Sequence, residues 1–188
     1  MTKNSKQALA SIIAVACLCL AIVLAPVPHQ AQDVASGQAT ANVLTGLSVT
    51  STQALNFGDV LQGVAKSVPN NDAANSGIFV VTGEPSAGIS VYIALPPYLA
   101  TATGDDRMNI VFGVTDCSID STGNSNPSTF GDGWPNVDPY ALPNNLVIGS
   151  AAPSQTAVFL GGEVVPSVDQ TAGPYTGEIV ITVAYNGT

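Results

Sequence analysis

The strongest constraint on the fold of this chain is a two-residue alternation near its C-terminal end. Residues 172–185 read AGPYTGEIVITVAY, a Gly-Pro turn followed by an alternating run. The apolar side chains that recur at every second position are Ile179, Ile181, Val183 and Tyr185. Successive side chains of a β-strand point to opposite faces, so this spacing gives one apolar and one mixed face. The run is therefore predicted to be a strand that pairs and packs through these four residues.

Other short alternating runs are separated by Gly, Pro, Asn and Asp, which is typical of strands and turns. Strands are predicted at residues 39–43, 47–52, 60–68, 78–82, 89–95, 107–114, 146–148 and 157–165. The fourth and fifth of these runs are predicted to form a hairpin. The pattern predicts an all-β fold: an immunoglobulin-like or Greek-key β-sandwich of about eight or nine short antiparallel strands, preceded by a signal-peptide helix.

The N-terminal segment has the three parts of a secretory signal. Lys3 and Lys6 precede an apolar run at residues 8–24, and prolines follow it. A basic start, an apolar centre and a polar exit are typical of signal peptides. The alternative is an uncleaved anchor, because the run is near the lower length limit for a membrane span. We predict a signal peptide at 1–31, a β-sandwich domain at 32–188 and no membrane span in the mature form.

Removal of the signal leaves a strongly acidic chain. Two basic residues, Lys66 and Arg107, remain against thirteen acidic ones, a formal charge of −11. Nucleic-acid binding needs a basic surface that displaces counterions, so nucleic acid is excluded as a partner. Anionic membrane surfaces are disfavoured for the same reason. The remaining chain of about 155 residues is long enough for one domain with an apolar core.

The sequence offers little to a catalytic mechanism. His29, the sole histidine, lies at the signal boundary, which removes Ser–His and Cys–His pairs and most metal sites. Cys117 is the single cysteine after the signal, so it has no partner for an internal disulfide. We favour a buried or loop thiol over an intermolecular bridge. No catalytic residue, no cofactor and no enzymatic activity are predicted.

The loop from Asp116 to Pro143 interrupts the strand pattern, and its Gly-, Asn- and Pro-rich part at residues 119–143 is predicted to be an insertion. Because hard cations take loop oxygens, its carboxylates are candidates for a calcium site. These carboxylates are Asp116, Asp120, Asp132 and Asp138. Trp134 and Tyr140, with Phe130, are candidates for stacking on a sugar. The simpler interpretation, which we favour, is solvated turn carboxylates and aromatic side chains that cover the end of the sandwich.

Five motifs occur in a fixed order along the chain. They are LNFG at 55–58, IFVVTGEPSAGISVYIALP at 78–96, MNIVFG at 108–113, LVIGS at 146–150 and AGPYTGEIVITVAY at 172–185. With this order, residues 39–185 resemble the secreted bacterial family called domain of unknown function 4402. That family is distantly similar to the spore-coat-protein-U and archaic chaperone–usher pilin group. The resemblance implies an immunoglobulin-like sandwich, exported and displayed on a surface, with no established enzymatic activity.

Two features depart from the pilin group. Pilins of that group usually carry a paired cysteine near the start of the domain, whereas this chain has Cys117 alone after the signal. The loop from Asp116 to Pro143 is also long for the pattern.

Two functions from different classes remain open. The first is a secreted, non-enzymatic structural protein of the cell surface, a fimbria-like subunit or adhesin, in which an extended segment of one subunit fills a groove of the next. Its partners would be a second copy or a periplasmic chaperone. Residues 35–44 alternate as an extended donor would, although we favour the first strand of the chain's own domain there. The alternative function is a monomeric binding module for carbohydrate or calcium that uses the loop from Asp116 to Pro143.

Overall fold

The computed structural model describes residues 38–187. The predicted signal-peptide helix at 1–31 lies outside the described residues. The chain divides into two compact units, Met1–Ala41 and Asn42–Thr188. Of the first unit, residues 38–41 are described, and they are exposed and without regular structure. Within the described range, no helix has the length and apolarity to cross a membrane.

The second unit is built from β-strands, which confirms the predicted fold class. The strands are β1 (Ser48–Gln53), β2 (Lys66–Val68), β3 (Gly77–Thr82), β4 (Gly88–Ala94), β5 (Tyr98–Ala100), β6 (Arg107–Val111), β7 (Cys117–Asp120), β8 (Gly133–Val137), β9 (Leu146–Val147), β10 (Gln155–Leu160), β11 (Gly162–Val165) and β12 (Val180–Tyr185). One 3-10 helix, Pro127–Thr129, lies between β7 and β8.

The strands pair antiparallel in three sheets. Sheet A has the order β1-β3-β10-β7-β8, sheet B the order β2-β11-β6-β5, and sheet C the order β12-β4-β9. Side chains from all three sheets meet in one main core. Its best-buried members include Val81, Ile119, Val158, Leu160, Val164 and Ile89. Each fully buried aliphatic side chain contributes about 1.5–3 kcal/mol to folding, so this core holds the sandwich together.

The central strands of sheet A, β3, β10 and β7, are buried on both faces. Phe79 and Val81 point into the main core, while the alternating residues of β3 point to the opposite side. There a second cluster forms from Ile78, Val80, Ala157 and Phe159, with Phe130 packed against it. Strands buried on both faces read as continuous apolar runs, which explains the unbroken stretches IFVV and AVFL in the sequence.

The predicted hairpin between residues 78–82 and 89–95 is wrong. Both strands exist, but β3 pairs with β1 and β10, whereas β4 pairs with β12 and β9. The connection at residues 83–87 therefore passes from one sheet to another. Alternation identifies a strand and its faces, but it does not specify the neighbouring strand.

Three predicted strand boundaries also need correction. Residues 39–43 form no strand, and their small side chains lie exposed. Within residues 60–68, only Lys66–Val68 is a strand, because Leu61 accepts a turn hydrogen bond from Val64 and Gly63 has a φ of 69°. The run at 157–165 is two strands, β10 and β11, in different sheets. One predicted strand is absent and one is split, so the short strands that were not predicted, β5, β7 and β8, account for twelve strands where about eight or nine were predicted.

Candidate functional site: an open groove at the sandwich edge

The C-terminal strand is half-buried and unpaired along one edge. β12 pairs with β4, from Val180 opposite Ala94 to Tyr185 opposite Ile89, and it is the outermost strand of sheet C. The apolar face predicted for β12 does point into the sandwich, because its four residues pack against the main core: Ile179, Ile181, Val183 and Tyr185. They are only half-buried, however, so this face is incompletely covered.

β1, at the edge of sheet A, contacts β12 and covers little of its inner face. β1 is the outermost strand of sheet A, it contacts β12, and five of its six residues are exposed. Its core-directed positions are Val49 and Ser51, which lie opposite Val81 and Phe79 of β3. Val49 is nevertheless 36% exposed. The inner faces of the sheets are therefore not closed along the side where β1 and β12 end them.

A groove of about 850 Å³ opens on this side of the domain. One wall is formed by residues 54–60 after β1, and the other by residues 170–179 before β12. Apolar side chains of sheet B line it between these walls, namely Leu99, Met108, Ile110 and Val164. The groove thus leads directly to the inner face of sheet B.

The second wall contains a segment that we call the strap, residues 171–178. All of its residues are exposed except Tyr175, which is half-buried. The strap touches β5 through two backbone hydrogen bonds, from Ala100 N to Thr176 O at 2.8 Å and from Thr176 N to Ala100 O at 2.9 Å. This bridge is isolated, so the outer edge of β5 carries only a minimal ladder.

A polar contact, which we call the latch, holds the strap from the other side. The Tyr175 hydroxyl donates to Asp106 Oδ2 at 2.7 Å, and Thr171 N donates to the same oxygen at 2.8 Å. The side chain of Gln170 donates to the Tyr175 hydroxyl at 3.0 Å. The hydrogen bonds from Tyr175 and then Thr171 hold the pKa of Asp106 far below its ordinary value. Burial, followed by the bond to Asp106, raises the pKa of Tyr175.

A second tyrosine ties the end of β12 to the start of the domain. The Tyr185 hydroxyl donates to the Thr45 carbonyl at 2.8 Å and accepts from Glu84 N at 2.7 Å. Glu84 Oε2 in turn accepts from Thr45 N at 3.1 Å and from the Thr45 hydroxyl at 2.5 Å. The bond from the Thr45 hydroxyl is the main reason that the pKa of Glu84 is lowered. The chain therefore enters β1 beside the C-terminal end of β12, whereas the groove lies beside the end of β1 and the start of β12.

The four calcium candidates do not share a site. The main oxygen contacts of three of them are to nearby backbone N–H groups: Gly113 N to Asp116, Gly133 N to Asp132 and Tyr140 N to Asp138. Across residues 38–187, no group of three or more metal-ligating side chains is found. These carboxylates serve as turn acceptors.

Asp120, the fourth candidate, is fully buried and fastens the loop to sheet A. Its carboxylate accepts from Thr122 N at 2.8 Å, from the Thr122 hydroxyl at 2.6 Å, from Gly131 N at 2.6 Å and from Asn124 at 3.3 Å. Burial alone would raise the pKa of Asp120, but these hydrogen bonds outweigh it and lower the pKa. The role of Asp120 is therefore to hold the loop in place.

The aromatic candidates for sugar stacking lie in different environments. Trp134 lies in β8 opposite Ile119 and packs half-buried against the main core. Phe130 packs against the second cluster, on the other face of sheet A. Tyr140 is 62% exposed. Trp134 and Phe130 thus cover two separate apolar clusters and present no common stacking surface.

Cys117 is fully buried in β7, as the favoured interpretation predicted. Burial, with smaller contributions from the Asp116 and Asp138 carboxylates, raises the pKa of its thiol to about 12. Since the thiolate is the reactive form, this cysteine is protected from disulfide exchange in the folded protein.

A comparison with protein-family models and with curated proteins finds no match to this chain. The choice of this groove as the candidate site is therefore supported by its geometry alone. Sequence analysis identified the β12 face but missed the latch, because Asp106 and Tyr175 are 69 residues apart. The Gly-Pro-Tyr turn before β12 was a visible signal for that tyrosine, but it did not indicate its acceptor.

Proposed function

We propose that this chain is an exported, non-enzymatic structural protein of the cell surface that assembles by strand complementation. In this proposal, an extended segment of one copy occupies the groove of the next and completes its sandwich. The observation that carries the proposal is the groove itself. It has an apolar lining from sheet B, and it lies between residues 54–60, which follow β1, and residues 170–177, which precede β12.

The chain carries a suitable occupant just before β1. Residues 38–44 are exposed and form no regular structure. Extended at roughly 3.3 Å per residue, seven residues span about 23 Å, slightly more than the six residues of β12. Val43 is 91% exposed and Leu44 is 41% exposed. Val43 is nearly uncovered and Leu44 is partly covered in their own domain, so a groove on a second copy is a favourable place for such side chains.

The energetic gain of such a docking has two parts. Because neighbouring side chains of an extended segment point to opposite faces, one of Val43 and Leu44 faces the groove lining, and covering it contributes up to about 1.5–3 kcal/mol. Covering Ile179, which lines the groove and is half-buried, contributes further. Backbone hydrogen bonds to an unpaired edge would add affinity and fix the register. Ala39 and Ala41 contribute little, so the larger side chain that faces the lining, Val43 or Leu44, is expected to dominate.

Assembly of the mature chain is the direct test. We expect residues 32–188 to form oligomers that resist detergent without boiling, visible as a ladder and as a concentration-dependent mass in light scattering. Replacing residues 38–44 with a Gly-Ser segment of equal length should abolish the ladder and leave the far-ultraviolet spectrum unchanged. A mature chain that stays monomeric at millimolar concentration would contradict the proposal.

A double substitution tests whether particular side chains anchor the segment. Val43→Ser with Leu44→Ser removes the proposed anchors, and Ala39→Ser with Ala41→Ser is the matched control. The first pair should lower assembly by at least tenfold, whereas the control should assemble like the wild type. Equal loss in both pairs would show that length or backbone, and not these two side chains, determines docking.

A further inference from the structure

The attachment of the strap suggests how part of the groove lining is kept covered before assembly, an inference that rests on the proposed function. We propose that the strap, residues 171–178, is a displaceable cover. It occupies the edge of β5 that an incoming segment of a second copy takes, and the latch between Asp106 and Tyr175 holds it there until that segment arrives.

The strap lies along the outer edge of β5. β5 pairs with β6 along one edge, and its other edge bonds only to the strap, at Ala100 and Thr176. An edge strand with unpaired N–H and C=O groups is a template for another chain. The strap therefore sits on a strand edge that would otherwise be open for pairing.

The strap covers part of the groove lining. A Cβ added to Gly177 would lie 2.8 Å from Leu99 Cδ2, so the strap backbone passes directly over the groove lining. Leu99 and Met108 both line the groove from β5 and β6. Displacement of the strap would uncover this lining, which is the surface that an apolar donor segment needs.

Displacement of the strap has a low cost. Seven of the eight strap residues are exposed, so little apolar surface holds the strap in place. The remaining contacts are the half-buried Tyr175 ring, the two backbone hydrogen bonds between Ala100 and Thr176, and the hydrogen bonds around Asp106, and water can replace these hydrogen bonds. Segments with few buried apolar contacts and exposed hydrogen bonds open at low free energy.

A reversible crosslink tests the inference. Ala100 and Thr176 exchange both backbone hydrogen bonds, and such antiparallel pairs have Cα atoms about 5.5 Å apart, within the range of a disulfide. In Ala100→Cys with Thr176→Cys, oxidation should fix the strap and lower the assembly rate at least tenfold, and reduction should restore it. Cys117 is buried and does not compete.

A second cysteine pair in the same sheet is the matched control. Asn109 and Val165 are exposed cross-strand partners in β6 and β11, away from the strap. Asn109→Cys with Val165→Cys should assemble at the same rate whether oxidised or reduced. Equal assembly of the oxidised strap pair and the wild type would overturn the inference and leave the proposed function intact. Failure of the wild type to assemble would overturn both.

A milder variant reports on the latch without a crosslink. Tyr175→Phe keeps the ring and removes the hydroxyl that donates to Asp106. Hydrogen exchange at the Thr176 amide should accelerate at least fivefold, assembly should become faster, and the urea midpoint of global unfolding should stay within error. An unchanged exchange rate at Thr176 would overturn the latch, because that amide bonds only across the strap–β5 bridge.

Discussion

Two segments of this protein cover apolar sheet surface, and they do so by opposite means. The loop between β7 and β8 covers the outer face of sheet A with Phe130 and fastens itself with Asp120, which has no exposed surface. The strap lies over the inner face of sheet B and is fastened by Asp106, at the surface, with one half-buried side chain of its own. Both use a carboxylate that accepts several hydrogen bonds. The difference is the packing around it, which makes the first cover permanent and the second displaceable.

The comparison predicts a large stability difference between the two covered surfaces. Phe159 lies fully buried beneath the β7–β8 loop, whereas Leu99 lies half-buried under the strap. Phe159→Ala should lower the free energy of unfolding by about 3–5 kcal/mol, because it removes a large buried side chain and leaves a cavity. Leu99→Ala should cost clearly less than half of that. Urea denaturation of both variants measures the difference, and equal losses would show that the groove side is as tightly closed as the other.

Replacing the buried carboxylate, Asp120, should lower stability more than replacing Asp106. Asp120→Asn should lower the free energy of unfolding by about 1–3 kcal/mol, since donors such as Gly131 N lose a buried, ionised acceptor. Asp106→Asn should leave the urea midpoint nearly unchanged and instead accelerate hydrogen exchange in the strap. A large global destabilisation by Asp106→Asn would show that the strap is an integral part of the core.

A pH titration should separate the buried carboxylate from the rest. The folded-state pKa of Asp120 is lowered, so its stabilising effect is fully present above the unfolded value of about 3.9 and is lost as the pH falls through the folded value. The wild type should therefore lose stability as the pH falls below about 4. Asp120→Asn should lose less over that range, measured as urea midpoints at pH 7, 5, 4 and 3. Parallel curves would contradict the assignment.

The alternation of apolar and polar residues predicted some features of these two covers and not others. The spacing of Ile179, Ile181 and Val183 correctly gave the β12 face, because a period of two is a local property. The partner of each strand is not local, so the hairpin of residues 78–82 with 89–95 was wrong. Asp120 looked like a cation ligand because the sequence carries no information on burial or on which N–H groups surround a carboxylate.

The smallest effect concerns chemical reactivity, and it compares a thiol in the main core with a thiol on the strap. Cys117 lies in β7 as a member of the main core and has a pKa raised to about 12. In the native protein at pH 8, it should react with a thiol reagent at least a hundredfold more slowly than in urea, because labelling requires opening of the main core. A Thr176→Cys variant places a second thiol on the exposed strap, and it should gain one rapidly labelled site without urea. Fast labelling of Cys117 in the wild type would mean that the main core opens as readily as the strap.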